Sequence, residues 1–256
     1  MKVCRFVYQN EIRWGVLEKE RIGLLPDLFL DCSLNNNAAP EEYIRPAQID
    51  LIPPVAPSKI VCVGRNYSAH AKELGNETPT EPLLFLKAPS AIVMDGQDIL
   101  LPKQTEQVEH EGELGVVIGR ECRKLAETDN PFEYILGYLC LNDVTARDLQ
   151  KKDVQFTRAK SFDTFCPIGS FIKTELDVSD IRVTTRVNGE IKQDGRTSEM
   201  VFDVPFLVRY ISNQMTLNTG DIIATGTPAG VSAFSNGDVC EVEIEGIGVL
   251  RNNIRK

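Results

Sequence analysis

Glu111 and Glu113 flank a single glycine and lead into the apolar run Leu114-Gly115-Val116-Val117-Ile118. The β-branched residues of that run predict a buried strand. Side chains two apart on a strand leave on the same face, so both carboxylates point one way. Each raises the cost of ionising the other, and a divalent cation between them relieves it. Asp143 ends a second apolar stretch, Gly137 to Leu141, and stands either as a third oxygen ligand or as the cap of a helix beginning beside it. A set of carboxylates without a thiolate suits Mg²⁺, Mn²⁺ or Ca²⁺ better than zinc. Arg147 and Gln150 follow Asp143 at helical spacing and share a side of that helix. A carboxylate, a guanidinium and an amide on one face suit an anionic ligand held beside a metal.

The chain has two histidines. His70 and Glu73 fall three apart in a short helical patch, from Ser68 to Leu74, that Gly75 stops. A glutamate against the imidazole fixes one tautomer and raises its basicity, as a general base requires. A surface histidine beside a helical glutamate has the same spacing. His110 directly precedes Glu111, so strand alternation sends it to the opposite face, in a structural or supporting role. Lys160, in the loop-like stretch Arg158 to Asp163, is either a solvated amine or a charge placed to neutralise an enolate. Lys87, at the end of a strand over Leu83–Leu86, has the same two readings. Gly226-Thr227-Pro228-Ala229-Gly230 is a tight turn that can present the Thr227 hydroxyl and backbone N–H groups to a carboxylate. Its glycine spacing matches neither a dinucleotide nor a P-loop fingerprint. No Gly-x-Ser-x-Gly elbow is present, and Cys166 reads as a buried thiol.

The elements that must position these groups are mostly strands. Residues 1–55 read as a small β-rich subdomain, with strands at Val3–Tyr8, Arg13–Leu17 and Arg21–Leu25. The polar stretch Ser33–Asn37 and a Pro-containing helix-like segment follow. The clustered prolines Pro53-Pro54-Val55-Ala56-Pro57 mark the boundary with a larger domain over residues 56–256. Further strands are predicted at 59–64, 83–86, 99–101, 114–118, 138–141, 182–187, 221–224 and 239–244. Asn188-Gly189 is a hairpin turn, and helices are predicted over Val144–Lys152 and Val204–Gln214. No βαβ alternation or internal repeat is visible.

The 256 residues suffice for a sizeable core. A net charge of −9 disfavours nucleic acid and anionic membranes as partners. Seven scattered cysteines without a C-x-x-C pair argue against a disulfide framework or structural zinc, and for a reducing compartment. No signal-peptide core or membrane-length apolar run is visible, so the expected protein is soluble and cytoplasmic.

Taken together, the motifs resemble the fumarylacetoacetate hydrolase family in its order from about Ser58 onward. They are Val63-Gly64-Arg65-Asn66-Tyr67 with His70, Phe85-Leu86-Lys87, Glu111-Gly112-Glu113-Leu114, Asn142-Asp143-Val144-Thr145-Ala146-Arg147-Asp148, Lys160-Ser161-Phe162-Asp163 and Thr225-Gly226-Thr227-Pro228. The resemblance implies an α+β, strand-rich fold, a mixed β-sandwich roll with few helices behind a small N-terminal subdomain, usually dimeric. It implies Glu111, Glu113 and Asp143 as ligands of Mg²⁺ or Mn²⁺, Lys160 beside the metal, and His70 with Glu73 as a catalytic dyad on a lid. Arg65, Lys87, Arg147, Gln150 and Thr227 match substrate-contacting positions. Many relatives carry an aromatic residue where this chain has His110. The chain resembles the smaller members, so the leading expectation is metal-dependent hydrolysis of a C–C bond in acylpyruvate-type 2,4-dioxo acids. Oxaloacetate decarboxylation and enol–keto tautomerisation or hydroxydienedioate isomerisation are the alternatives within the same family. All three use one electron sink: a metal and Lys160 stabilise an enolate. A module that only binds metal and metabolite is the reading outside enzymes. The expected substrate is a small anionic 2-oxo acid, and the expected assembly a homodimer.

Overall fold

A strand buried on both faces needs an apolar sequence along most of its length. Gly112–Ile118 meets that condition: all seven residues are buried, and beyond Glu113 every one is apolar or glycine. In the computed structural model, which describes residues 1–25, 40 and 42–256, this strand lies inside a 13-stranded mixed sheet. One neighbour is the antiparallel strand Ile135–Asn142, paired from Gly112↔Asn142 to Val116↔Tyr138. The other is Ile222–Ala224, also antiparallel, with Gly115 opposite Ala224. Beyond Ile222–Ala224 the sheet continues in parallel to Ile60–Gly64 and then antiparallel to Leu83–Lys87.

On the other side, Ile135–Asn142 meets Ile172–Lys173, and this short strand joins the N-terminal strands to the sheet. Lys2–Tyr8 pairs with it at Val3↔Ile172 and also pairs with Glu11–Glu18 and Asp50–Ile52. Cys4, Phe6, Ile22 and Ile44 form a small core cluster of their own, apart from the main one. The N-terminal strands thus have a small apolar cluster of their own, send Val3 and Val16 into the main core, and share a continuous sheet with the rest.

A second, five-stranded sheet packs across the first. Its order is Glu190–Arg196, Arg182–Val187, Val239–Ile244, Gly248–Arg255 and Asp98–Leu100. Arg182–Val187 and Val239–Ile244 lie against Gly112–Ile118. Two sheets meeting face to face with their apolar sides inward give the expected strand-rich sandwich. Asn188 and Gly189, with φ of 53° and 81°, form the two-residue turn of its first hairpin. Both residues need positive φ, which Asn-Gly tolerates better than other pairs.

Four α-helices complete the described fold: α1 (Ser68–Glu73), α2 (Arg147–Lys152), α3 (Thr157–Lys160) and α4 (Val204–Gln214). The last matches its predicted span, capped by Asp203, whose side chain accepts the Phe206 N–H at 2.9 Å. Helix α2 starts later than Val144 because Thr145–Ala146 pairs instead with Val108–Glu109. The loop expected around Lys160 is in part a helical turn, α3. The predicted polar stretch Ser33–Asn37 lies outside the described residues. Among the described residues, no helix is long and apolar enough to cross a membrane.

The sheets approach closely beside Gly112. A Cβ there would lie 2.1 Å from Thr185 Oγ1, on the strand of the opposite sheet. Gly112→Ala is therefore expected to push the sheets apart and to cost about 1–3 kcal/mol, read as a lower midpoint in thermal or urea unfolding.

Candidate active site

Strand register brings the distant acidic residues together. Because Gly112 pairs with Asn142, the residues just beyond that pair, Glu111 and Asp143, stand side by side. The Asp143 N–H donates to the Glu111 carbonyl at 2.8 Å, and the Asn142 side chain accepts the Glu111 N–H at 2.9 Å. The pairing of Gly115 with Ala224, carried two residues further, places Gly226 opposite Glu113. The Gly226 N–H accordingly donates to Glu113 Oε2 at 2.8 Å. Glu111, Glu113 and Asp143 are all buried, and one ligand oxygen from each lies within 4.8 Å of the others.

Three buried cations answer these carboxylates. Lys160 Nζ donates to Glu111 Oε2 and to Asp143 Oδ2, both at 2.7 Å. Lys87 Nζ donates to Asp143 Oδ1 at 2.6 Å and to the Val144 carbonyl at 3.1 Å. Arg147 reaches Glu111 at 2.5 Å through Nη2 and Glu109 at 2.7 Å through Nε. Its Nη1 donates to the Gln150 side chain at 2.6 Å. Burial alone would raise the Glu111 pKa, but the charges of Lys160 and Arg147 overcome it and hold the carboxyl well below its ordinary range. Burial likewise opposes the charge of Lys160, and Asp143 and Glu111 more than offset it, so its pKa rises.

Glu113 differs. Its carboxyl is pushed well above the ordinary value, first by burial and then by the negative charges of Asp143 and Glu111. The donor set therefore fits a hard divalent cation: three buried carboxylates converge, and one of them lacks a full counter-charge. The nearby thiols do not alter that reading. Burial raises the Cys166 pKa to about 12 and drives Cys62 well above its ordinary value, so both remain neutral.

A cavity of about 250 Å³ opens onto the cluster, and His70, Arg65 and Thr227 line it together with Lys160. His70, buried on α1, holds its Nδ1 at 3.3 Å from Glu73 Oε2. Glu73 also accepts the Gly230 N–H, at 3.0 and 3.1 Å to its two oxygens. That leaves Nε2 as the ring nitrogen available for chemistry. Arg65 reaches the cavity wall in a left-handed conformation, φ 59°, which a non-glycine residue adopts at a cost. The Thr227 hydroxyl donates inward, to the Gly112 carbonyl at 2.8 Å. Arg147 and Gln150 line the cavity, but their mutual bond and the two glutamates occupy the guanidinium. All eleven predicted site residues thus lie in or against one centre. His110, by contrast, turns away to Gln193 and Ser232.

Sequence reasoning missed two buried participants, Glu109 and Gln193. For Glu109 a signal existed, since Glu109, Glu111 and Glu113 alternate as residues on one strand face do. For Gln193 there was none, because its partners come from two distant segments, 110–112 and 227–228.

A raised Glu113 pKa has two measurable results. In metal-free protein the protonated carboxyl favours the fold, a contribution complete below the ordinary value near 4.3 and lost as pH climbs toward the folded value. A divalent cation must displace that proton. The increase in Tm produced by Mg²⁺ is therefore expected to grow with pH, with proton release in calorimetry, and Glu113→Gln is expected to abolish both.

Comparison with known proteins agrees with this geometry. Residues 59–255 match the family described as fumarylacetoacetate (FAA) hydrolase, C-terminal, and residues 1–54 match one described as Rv2993c-like, N-terminal. A mitochondrial oxaloacetate decarboxylase of Dictyostelium discoideum is 44% identical over 74% of this chain and 89% of its own length. The mitochondrial oxaloacetate tautomerase FAHD1 of Bos taurus is 42% identical over 77% of this chain and 91% of its own. The crystal structure of 5-carboxymethyl-2-hydroxymuconate delta-isomerase from Mycobacterium smegmatis superposes with a TM-score of 0.88 at 37% identity, covering 100% of this chain and 99% of that one. With its buried acidic cluster and its strand-rich sandwich, the chain belongs to the fumarylacetoacetate hydrolase family.

Proposed function

We propose that this chain is a Mg²⁺- or Mn²⁺-dependent tautomerase that interconverts the keto and enol forms of a small 2-oxo dicarboxylic acid of the oxaloacetate type. The observation that carries the reading is His70, backed by Glu73, on the same small cavity as the three-carboxylate cluster. A single acid/base pair suffices to move one proton at a carbon beside a polarised carbonyl. A divalent cation held by Glu111, Glu113 and Asp143 would polarise the 2-oxo group as a Lewis acid.

The chain's own residues supply the rest. His70 Nε2 accepts a proton from the carbon beside the 2-oxo group, and Glu73 stabilises the imidazolium that forms. His70 then delivers that proton to the oxygen, so keto becomes enol with nothing gained or lost. Lys160 places a buried positive charge beside the developing oxyanion. Arg65 at the cavity wall suits a substrate carboxylate. Arg147 keeps Glu109 and Glu111 in place, and Gln150 braces it.

Decarboxylation of the same acid is the second reading, favoured by the relative of that name. The cations that stabilise an enolate after proton loss also stabilise one left by departing carbon dioxide. Hydrolysis of acylpyruvates, the first expectation from the residue pattern, has less support, because the sequence relatives named above are a decarboxylase and a tautomerase. The proposed enzyme acts as a homodimer, which light scattering checks directly.

Metal-stripped protein resupplied with Mg²⁺ or Mn²⁺ is the test, with oxaloacetate and acetylpyruvate followed separately by NMR. Accelerated keto–enol exchange of oxaloacetate without cleavage supports the tautomerase. Release of pyruvate and carbon dioxide makes it a decarboxylase, and acetate plus pyruvate from acetylpyruvate makes it a hydrolase. His70→Ala is expected to lower kcat for tautomerisation by about 10²–10⁴-fold, and an unchanged kcat would remove His70 from the reaction.

A further inference from the structure

We propose that Gln193 is a positioning residue that holds the His70–Glu73 pair at its working distance from the three-carboxylate cluster. The inference rests on the acid/base role proposed above for His70. Gln193 lies on Glu190–Arg196, in the second sheet, and is fully buried. Its Oε1 accepts the Gly112 N–H at 3.0 Å and faces His110 Nδ1 at 2.9 Å. Its Nε2 donates to Thr227 Oγ1 at 2.6 Å and to the Pro228 carbonyl at 2.7 Å. A carboxamide has two donors and two acceptor sites, and here all four are used.

The bonds join two parts of the centre. Gly112 lies between the ligand residues Glu111 and Glu113. Thr227 and Pro228 belong to the turn whose Gly226 N–H binds Glu113 and whose Gly230 N–H binds Glu73. Glu73 in turn engages His70. One amide thus ties the ligand strand to the turn that carries the partner of the base.

The strand around Gln193 is also the floor of that turn. A Cβ on Gly230, at φ 106°, would lie 1.9 Å from the Lys192 carbonyl, and a Cβ on Gly195 would lie 2.6 Å from Pro228 Cβ. Glycine is needed at both positions for the turn to settle this closely. His110 completes the cradle. The Ser232 hydroxyl, 2.8 Å from Nε2, can donate there, which leaves Nδ1 carrying its proton toward Gln193.

Loss of the amide does not affect the two halves equally. Glu111 and Asp143 keep Lys160, Arg147 and Lys87, none of which touches Gln193. Glu73 depends on the turn. Gln193→Met, of similar length but without hydrogen-bonding groups, therefore releases the turn while leaving most of the cluster braced.

The test uses full-length protein saturated with Mg²⁺. In Gln193→Met, kcat for oxaloacetate tautomerisation at saturating Mg²⁺ is expected to fall about 10- to 100-fold, with KM changed no more than a few-fold. The Nδ1–H proton signal of His70, followed by imidazole NMR, is expected to lose the downfield position given by its contact with Glu73 Oε2, because Glu73 draws away with the turn. The two histidines are told apart with His110→Phe. That variant removes one of the four bonds and serves where Gln193→Met does not fold, with a smaller change expected in the same direction. A lower Tm with kcat and the His70 signal unchanged would overturn the proposal. If the wild-type protein turns over no 2-oxo acid, the functional reading fails, while the His70 signal still decides the role of Gln193.

Discussion

Among the described residues, four carboxylates, Glu109, Glu111, Glu113 and Asp143, are buried in one region with three buried cationic side chains, Lys87, Arg147 and Lys160. Burying a charge is costly unless it is paired and hydrogen-bonded. The structure resolves most of that cost by pairing: Lys160 bridges Glu111 and Asp143, and Arg147 bridges Glu109 and Glu111. What remains is Glu113, with a backbone N–H as its donor and a carboxyl displaced upward by its neighbours. A divalent cation would turn an excess of negative charge into a modest positive one, the sign that an anionic substrate needs. Removing the cations would leave unmatched charges in the interior, so the centre and the stability of the fold depend on the same contacts.

The sheet exists, in effect, to enforce that arrangement. Two antiparallel registers, Gly112↔Asn142 and Gly115↔Ala224, bring three chain segments to one end of the central strands. The parallel pairing of Ile222–Ala224 with Ile60–Gly64 brings the segment leading to Arg65 and α1 to the same end. A one-residue slip in any of these pairings would turn the carboxylates toward the wrong face. The continuous apolar burial of Gly112–Ile118 makes such a slip expensive, and so holds ligand geometry with core packing.

The second sheet does more than cover the first. It closes against Gly112, where there is room for no side chain, and it delivers Gln193 and His110 into the back of the centre. The proposed chemistry requires that the carboxylate cluster and the His70–Glu73 pair share a cavity. How far apart they stand is set by the turn at residues 226–230 and by what that turn rests on.

Much of this was legible in the order of residues alone. Alternation put Glu111 and Glu113 on one face, helical spacing joined His70 to Glu73, and the motif order led to the family and its strand-rich fold. Those features depend on residues close in sequence, where strand and helix periods fix which side chains meet. The start of α2 was misread because Thr145–Ala146 answers to a partner strand, Val108–Glu109, rather than to local propensity. The readings of Lys87 and Lys160 as solvated amines or as charges at the centre stayed open for a similar reason. A lysine's environment is made by whatever the sheet brings to it, here Asp143, 56 and 17 residues away. Gln193 carried no local signal at all, since its four bonds reach Gly112, His110 and the turn at 227–228. The chemical groups were thus evident from residue type and spacing, whereas their pairing, protonation and separation came from strand register and sheet packing, which act between residues that the chain keeps far apart.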